Sequence, residues 1–349
     1  MINKTFFTGL VVVALVFAQP IFAQTTYQTP PKSIADLFNA PATPSVSFNK
    51  DGSMMMILDR TEAPSIEDLA QPELRIGGIR INPAISGPSR AGGFTNLKIK
   101  KTRSGEEIQI KGLPSNPKMN GFLLSLDEKF LAFTQTESNG ISLWVVDMTT
   151  YEAKKLTDPI LNQVFGNSVA WLPDNSIIIK AVNPSRGAMP EAPLAPAGPV
   201  IQETSGNAAP SRTYQDLLTN PYDETLFAYF MDSQLMKVGL DGSKSSIGKP
   251  AMIKSMDISP DGNFLLIESI QKPFSYLVPA DRFPYSIEIW TAAGEMIKTL
   301  AQIPLDEVRP TGFDATVTGP RGISWRADQA ATLYWAEAQD KGDPRVKVA

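Results

Sequence analysis

The sequence predicts an all-β chain folded as a β-propeller of four-stranded antiparallel blades. One observation behind this is a turn followed by a strand, Ile258-Ser259-Pro260-Asp261-Gly262-Asn263 leading into Phe264-Leu265-Leu266-Ile267. Pro260 presets φ at the first corner, Asp261 can bond its own backbone, and Gly262 suits a corner with positive φ. A second observation is recurrence. Asp51-Gly52 precedes Met54 to Leu58, Asp127 precedes Phe130 to Phe133, Asp174 precedes Ile177 to Ile179, and Asp328 precedes Thr332 to Trp335. Repetition of one strand-turn-strand unit marks a propeller, whose blades run roughly 40–50 residues. The spacing here is uneven, so insertions belong in loops. A β-sandwich with several Asp turns is the alternative.

The elements follow in order. Residues 1–23 read as a secretory signal: Lys4, then an apolar run from Phe6 to Phe17, then Ile21-Phe22-Ala23 with cleavage after Ala23. That run is short for a membrane span, an uncleaved anchor being the other reading. An exported protein, periplasmic or secreted and off the membrane once cleaved, is expected. Residues 24–45 form an extended segment in which Ser33 to Phe38 can make a helical turn. Residues 46–349 form the propeller domain. Its first blade turns at Asp51-Gly52, has a connector with a short helix from Ser65, a strand over Leu74 to Asn82, and a hairpin around Ser104-Gly105.

The second blade has strands at Met119 to Ser125, Lys129 to Thr136, Ile141 to Met148 and Tyr151 to Leu156. The third begins at Ser168 to Trp171 and Ser176 to Val182. An insertion over 183–233 interrupts it: a Pro/Ala/Gly-rich loop, then a helix that Asn220 can cap with Pro221 in its first position. The blade resumes at Gln234 to Leu240 and ends near Ile247. The fourth contains the opening motif, with outer strands Ser286 to Thr291 and Glu295 to Leu300. A fifth begins with Gly322 to Trp325 and Ala331 to Ala338, and Arg345 to Ala349 looks like the start of its third strand. About four blades plus part of a fifth make an incomplete ring, since larger closed rings take about six to eight. The expectation is therefore a piece of something longer. A small ring closed by Val46 pairing with the last strand is the competing arrangement.

Composition removes whole classes of chemistry. The 349 residues carry a net charge of −4, giving no reason to expect a nucleic-acid partner. There is no Cys and no His, so a Ser-His-Asp triad, a Cys-His pair and imidazole or thiolate metal sites are impossible within this chain. Gly166-Asn167-Ser168-Val169-Ala170 approaches a nucleophile elbow but lacks the final Gly and a following helix. Gly242 to Lys249 is one residue too long for a phosphate loop, and Pro250 stands where Ser or Thr is needed. No D-x-D-x-D-G calcium loop occurs. Trp144, Trp171, Trp290, Trp325 and Trp335 all fall on strands, as inter-blade core rather than a carbohydrate platform. Arg282 lies on an aromatic-rich connection, as a loop staple or a functional cation. No catalytic, cofactor-binding or metal-ligating residue is assigned, and no cofactor is implied.

Longer phrases are more distinctive. They are Tyr27-Gln28-Thr29-Pro30-Pro31; Gln71-Pro72-Glu73-Leu74-Arg75-Ile76-Gly77-Gly78; and Arg80-Ile81-Asn82-Pro83 with Gly87-Pro88-Ser89-Arg90. Further on come Arg212-Thr213-Tyr214-Gln215-Asp216-Leu217-Leu218, Pro273 to Pro279 with Arg282-Phe283-Pro284-Tyr285, and Gly319-Pro320-Arg321. In these the chain resembles the exported bacterial branch of the prolyl oligopeptidase (S9) family of serine peptidases, close to the plant glutamyl endopeptidases. The resemblance implies an amino-terminal propeller that screens peptide substrates and docks on an α/β-hydrolase domain carrying Ser, Asp and His. This sequence ends inside the propeller, so no triad residue transfers to any position in it. The expected function is the substrate-gating propeller of such a peptidase, truncated before its catalytic domain and inactive alone. The alternative is a free-standing periplasmic propeller that binds protein without catalysis.

Overall fold

A computed structural model describes residues 28, 30–61, 63–195, 198, 213–310 and 313–348. The signal expected over 1–23 lies outside them. Two units are described separately, residues 1–41 and 42–349. In the first, α1 (Lys32–Phe38) follows Pro31 and carries a Lys32–Asp36 ion pair one turn apart. It falls where the sequence allows a helical turn, Ser33 to Phe38, within the 24–45 segment. No described helix is long and apolar enough to cross a membrane.

The second unit is predominantly β. Strands β1 (Ser45–Phe48), β2 (Met54–Arg60), β6 (Phe94–Lys101) and β7 (Glu107–Gln109) pair antiparallel in that order. Between β2 and β6 lie α2 (Ile66–Ala70), β3 (Leu74–Ile76), β4 (Ile79–Asn82) and β5 (Gly87–Pro88). The next meander is β8 (Met119–Leu124), β9 (Phe130–Glu137), β10 (Gly140–Asp147) and β11 (Glu152–Lys155). Then β12 (Val169–Trp171), β13 (Ile177–Val182), α3 (Pro221–Met231), β14 (Asp232–Val238) and β15 (Lys244–Ile258) follow. The far half of β15 opens another meander with β16 (Phe264–Ile270), β17 (Tyr285–Thr291) and β18 (Met296–Ile303). A last pair is β19 (Pro320–Trp325) and β20 (Leu333–Glu337).

Period-2 alternation explains the packing, because each middle strand is apolar on both faces. Leu131 and Phe133 face the first meander, whereas Ala132 faces the third. Ile177 and Ile179 pack toward the second meander and Ile178 toward the fourth. Leu265 and Ile267 pack against Leu172 and Leu235, while Leu266 turns toward the β19–β20 pair.

The recurring Asp turns share one polar pattern. Asp51, Asp127, Asp174 and Asp261 each accept the amide two residues on, at 2.9, 3.2, 2.9 and 3.0 Å. They also touch from one meander to the next. Asn49 donates to Glu128, Asn175 to Asp127, and the Asp261 amide to the Ala330 carbonyl. A Cβ added to Gly262 would lie 2.5 Å from Pro173 Cδ. Ser259 and Asn263 hold the Asp261 carboxyl below its usual range.

Three sequence readings are corrected. The single strand expected over Leu74 to Asn82 is a hairpin, because Gly77 and Gly78 both take positive φ, +61° and +78°. β15 does not end near Ile247 but runs on to Ile258, joining two meanders in one strand. Arg345 to Val348 forms no strand: Asp343 accepts from the Arg345 amide and Asp340 from the Gly342 amide, so local turns take the backbone.

Candidate functional site

The long connections meet at the strand ends opposite the Asp turns. Ser65 caps α2 reciprocally with Asp68, and Asn220 caps α3 by accepting the Asp223 amide. Leu226, Phe227, Phe230 and Met231 of α3 are buried against Ile76 and Ile81 of the β3–β4 hairpin and against Phe274, Val278 and Phe283 of the β16–β17 connection. Phe227 stands edge-on to Phe274 and Phe283 at 5.0 and 5.3 Å, and those two rings stack at 5.3 Å. The Gly77 carbonyl accepts the Ala280 amide at 2.8 Å, and the Gly78 amide donates to the Asp216 carbonyl at 2.8 Å. Arg80 pairs with Asp216 at 2.7 Å. Side chains at the glycines would collide, since a Cβ on Gly78 would sit 2.3 Å from that of Pro279. Sequence phrases far apart in the chain therefore form one cap.

A cleft of about 570 Å³ opens on the flank of this cap. Its walls are Thr225, Ala228 and Tyr229 of α3, Asp232, Ala251 and Met252 of the strands beneath, Ile270 and Gln271, and Arg186 and Pro190 of the preceding loop. The Arg186 guanidinium lies 4.3 Å from the Tyr229 ring centroid and 5.6 Å from that of Phe230. Its Nη2 donates to Ser86 Oγ at 2.9 Å. Ser86 is buried and takes a left-handed backbone, φ +47°. Asp232 is held by Asn183, 2.7 Å away.

Other ionisable groups are committed elsewhere. Lys180 is fully buried on β13, with Nζ donating to the Phe165 carbonyl and, at 3.5 Å, to that of Ile253. Burial pushes its pKa down to about 7. Lys254 Nζ lies 3.5 Å from the Tyr285 ring centroid and 3.7 Å from Glu268, and burial lowers its pKa. Burial, with Glu268 adding to it, pushes the Tyr285 phenol up to about 12. Among the described residues, no group of three or more Asp or Glu side chains is placed to hold a metal ion.

With this geometry established, relatives can be compared. No protein-family model matches the chain. Over 338 residues it is 38% identical to a probable chloroplastic glutamyl endopeptidase of Oryza sativa subsp. japonica, spanning 93% of this chain and 36% of that protein. A probable chloroplastic glutamyl endopeptidase of Arabidopsis thaliana is 37% identical over 339 residues, 93% of this chain and 35% of that one. The similarity is to part of these glutamyl endopeptidases. The chain spans about a third of the length of the relatives it matches. Among solved structures, an acylaminoacyl peptidase of Pyrococcus horikoshii aligns with TM-score 0.41 at 11% identity, over 76% of this chain and 33% of its own. An oligogalacturonate lyase in complex with manganese aligns with TM-score 0.42 at 12% identity, over 86% and 59%.

The residues singled out by sequence have clear placements. Arg282 is a staple: its side chain is 9% exposed, its Nε lies 3.9 Å from Asp306, and its guanidinium carbon lies 5.3 Å from the Tyr214 ring centroid. Arg309 Nε binds the same Asp306 at 2.6 Å. Gly166 turns the chain at φ +65° beneath the Lys254 carbonyl, and Ser168 Oγ accepts from Gln163 and leads into β12. All five tryptophans are on strands. Trp171 and Trp290 are buried, and Trp171 donates to the Leu123 carbonyl of the neighbouring meander at 2.8 Å. Trp335 is 49% exposed and so is not core. Arg186, Ser86 and Tyr229 were not foreseen. Arg186 lies in a loop without apolar period, and Ser86 falls between two distinctive phrases without belonging to either.

Proposed function

We propose that this chain is the substrate-gating β-propeller of an exported, periplasmic or secreted serine peptidase of the glutamyl endopeptidase kind. Its catalytic Ser, Asp and His belong to an α/β-hydrolase domain outside these residues, on which the propeller docks. The observation that carries the reading is the alignment with two glutamyl endopeptidases over nearly the whole chain, in a sequence with no histidine. Four-stranded antiparallel meanders stacked in chain order, about four with part of another, support a propeller. The cap supports a gating role, because it is built from the phrases shared with the family and lies over one end of the strands.

The test has two parts. The gene beyond the Ala349 codon is sequenced, and a continuing frame with G-x-S-x-G and a late His is expected; an unrelated gene there overturns the docking reading. The full chain is assayed on a Glu-containing chromogenic peptide, where no turnover is expected. Turnover would mean that these residues carry catalysis themselves.

A further inference from the structure

Lys180 ends in a fully buried amine whose Nζ donates only to the Phe165 and Ile253 carbonyls. Among the described residues it has no counter-ion, and burial alone lowers its pKa. β13 and the connection over 159–168 hold no other ionisable residue. On β14, Asp232 is held by Asn183 and Lys237 by Asp174. On the far half of β15, Lys254 turns to Tyr285 and to Glu268 of β16, and Asp257 accepts the Ile258 amide. A cation kept from water without a counter-charge is costly.

The turn Phe165-Gly166-Asn167 lies between this amine and solvent. Gly166 and Asn167 are exposed, yet a Cβ on Gly166 would sit 4.0 Å from Lys180 Nζ. Among the described residues, the backbone amides of Phe165, Gly166 and Asn167 make no hydrogen bond. Three tethers hold the turn. The Phe165 carbonyl accepts Lys180 Nζ, and the Phe165 ring packs at the edge of the cap core. Asn167 Nδ2 donates to the Met256 carbonyl at 3.0 Å, and its Oδ1 accepts the Met256 amide at 3.5 Å. Segments with so few backbone hydrogen bonds open at low cost.

We propose that the Phe165–Asn167 turn is a lid over Lys180, latched by Asn167, that acid opens and alkali closes. The open form lets water reach the ammonium and holds its proton up to about pH 10.4, as a free lysine does. The closed form holds it only up to about pH 7. Each unit of pH lost between those values makes opening about tenfold easier, and below about 7 the gain levels off. The lid does not depend on a hydrolase domain, so its failure would leave the proposed gating role intact.

The experiment is a carbon-13 titration of the full chain grown on lysine labelled at Cε, with Lys180→Met assigning the resonance. In the wild type Lys180 should titrate near pH 7. Asn167→Ala cuts the latch without touching the amine and should raise that midpoint by about one unit or more. Gly166→Ala should also raise it, because the added methyl would meet the Lys254 carbonyl and displace the turn. Ile99→Val, in the core between the first two meanders, lowers stability elsewhere and should leave the midpoint in place. A wild-type midpoint near 10 overturns the proposal, since the amine would already be hydrated. So does a folded Asn167→Ala chain whose Lys180 midpoint stays at the wild-type value, or an Ile99→Val chain whose midpoint moves as far as that of Asn167→Ala.

Discussion

The carbonyl of Gly77 accepts the amide of Ala280 at 2.8 Å, tying the β3–β4 hairpin to the connection between β16 and β17. Beside it, Gly78 lies against Pro279. The contact needs two consecutive residues with positive φ and no side chains.

Gly78→Ala should therefore destabilise the protein by about 2–4 kcal/mol. The new methyl meets Pro279, and the left-handed backbone adds its own penalty. Chemical denaturation should show a lower midpoint. Gly105, at φ +73° in open space, serves as a control, and Gly105→Ala should cost about 1 kcal/mol.

Phe227→Ala should remove the ring on which the cap converges, at about 3–5 kcal/mol. Limited proteolysis should then cut the connection around Pro273 to Pro284 sooner than in the wild type. An unchanged cleavage rate would show that the loop is held by something other than this aromatic contact.

Lys180 gives a pH dependence with a definite sign. Burial lowers its folded pKa to about 7, below the unfolded value of about 10.4, so between those values the unfolded chain binds more protons. Stability should rise by a few kcal/mol as pH climbs from about 7 to about 10, and below about 7 the penalty is fully present. Lys180→Met should lose that slope. Denaturation midpoints at pH 6, 8 and 9.5 for both chains check it.

The β1 edge should make the chain self-associate. Among the described residues β1 pairs only with β2, and Val46 and Phe48 are about half exposed on it. An unpaired strand with apolar side chains is a template for another chain. Light scattering should show association that rises with concentration, and Val46→Lys with Phe48→Lys should suppress it.

Much of the β framework was legible because two local signals coincide at each repeat: an Asp turn and an apolar run at period 2. Ser65 and Asn220 marked their helices for the same reason, since capping is written in neighbouring residues. Gly77-Gly78 held a hairpin signal that the alternation of Leu74 to Asn82 obscured. The carboxy-terminal segment misled because Arg345-Val346-Lys347-Val348 alternates like a strand, whereas Asp343 claims its first amide, that of Arg345, and Asp340 the Gly342 amide in the turn before it. The cleft was not legible. Arg186, Ser86 and Tyr229 come from separate segments whose meeting is decided by the packing of α3, and no local pattern encodes that.

β15 passes without a break from one meander into the next, whereas β6 and β8 are bridged by the single pair Phe94–Met119. Resistance to bending is thus unequally shared along the chain. A twist between the third and fourth meanders has to bend β15 itself, where its pairing passes from β14 to β16, while the first and second share one strand rung beside the Lys111–Glu152 bridge, the contacts of Asn49 and Lys50 with Glu128, and a common apolar layer. Opening of the short strand ladder between the first two meanders should register first in amide exchange at Phe94 and Met119.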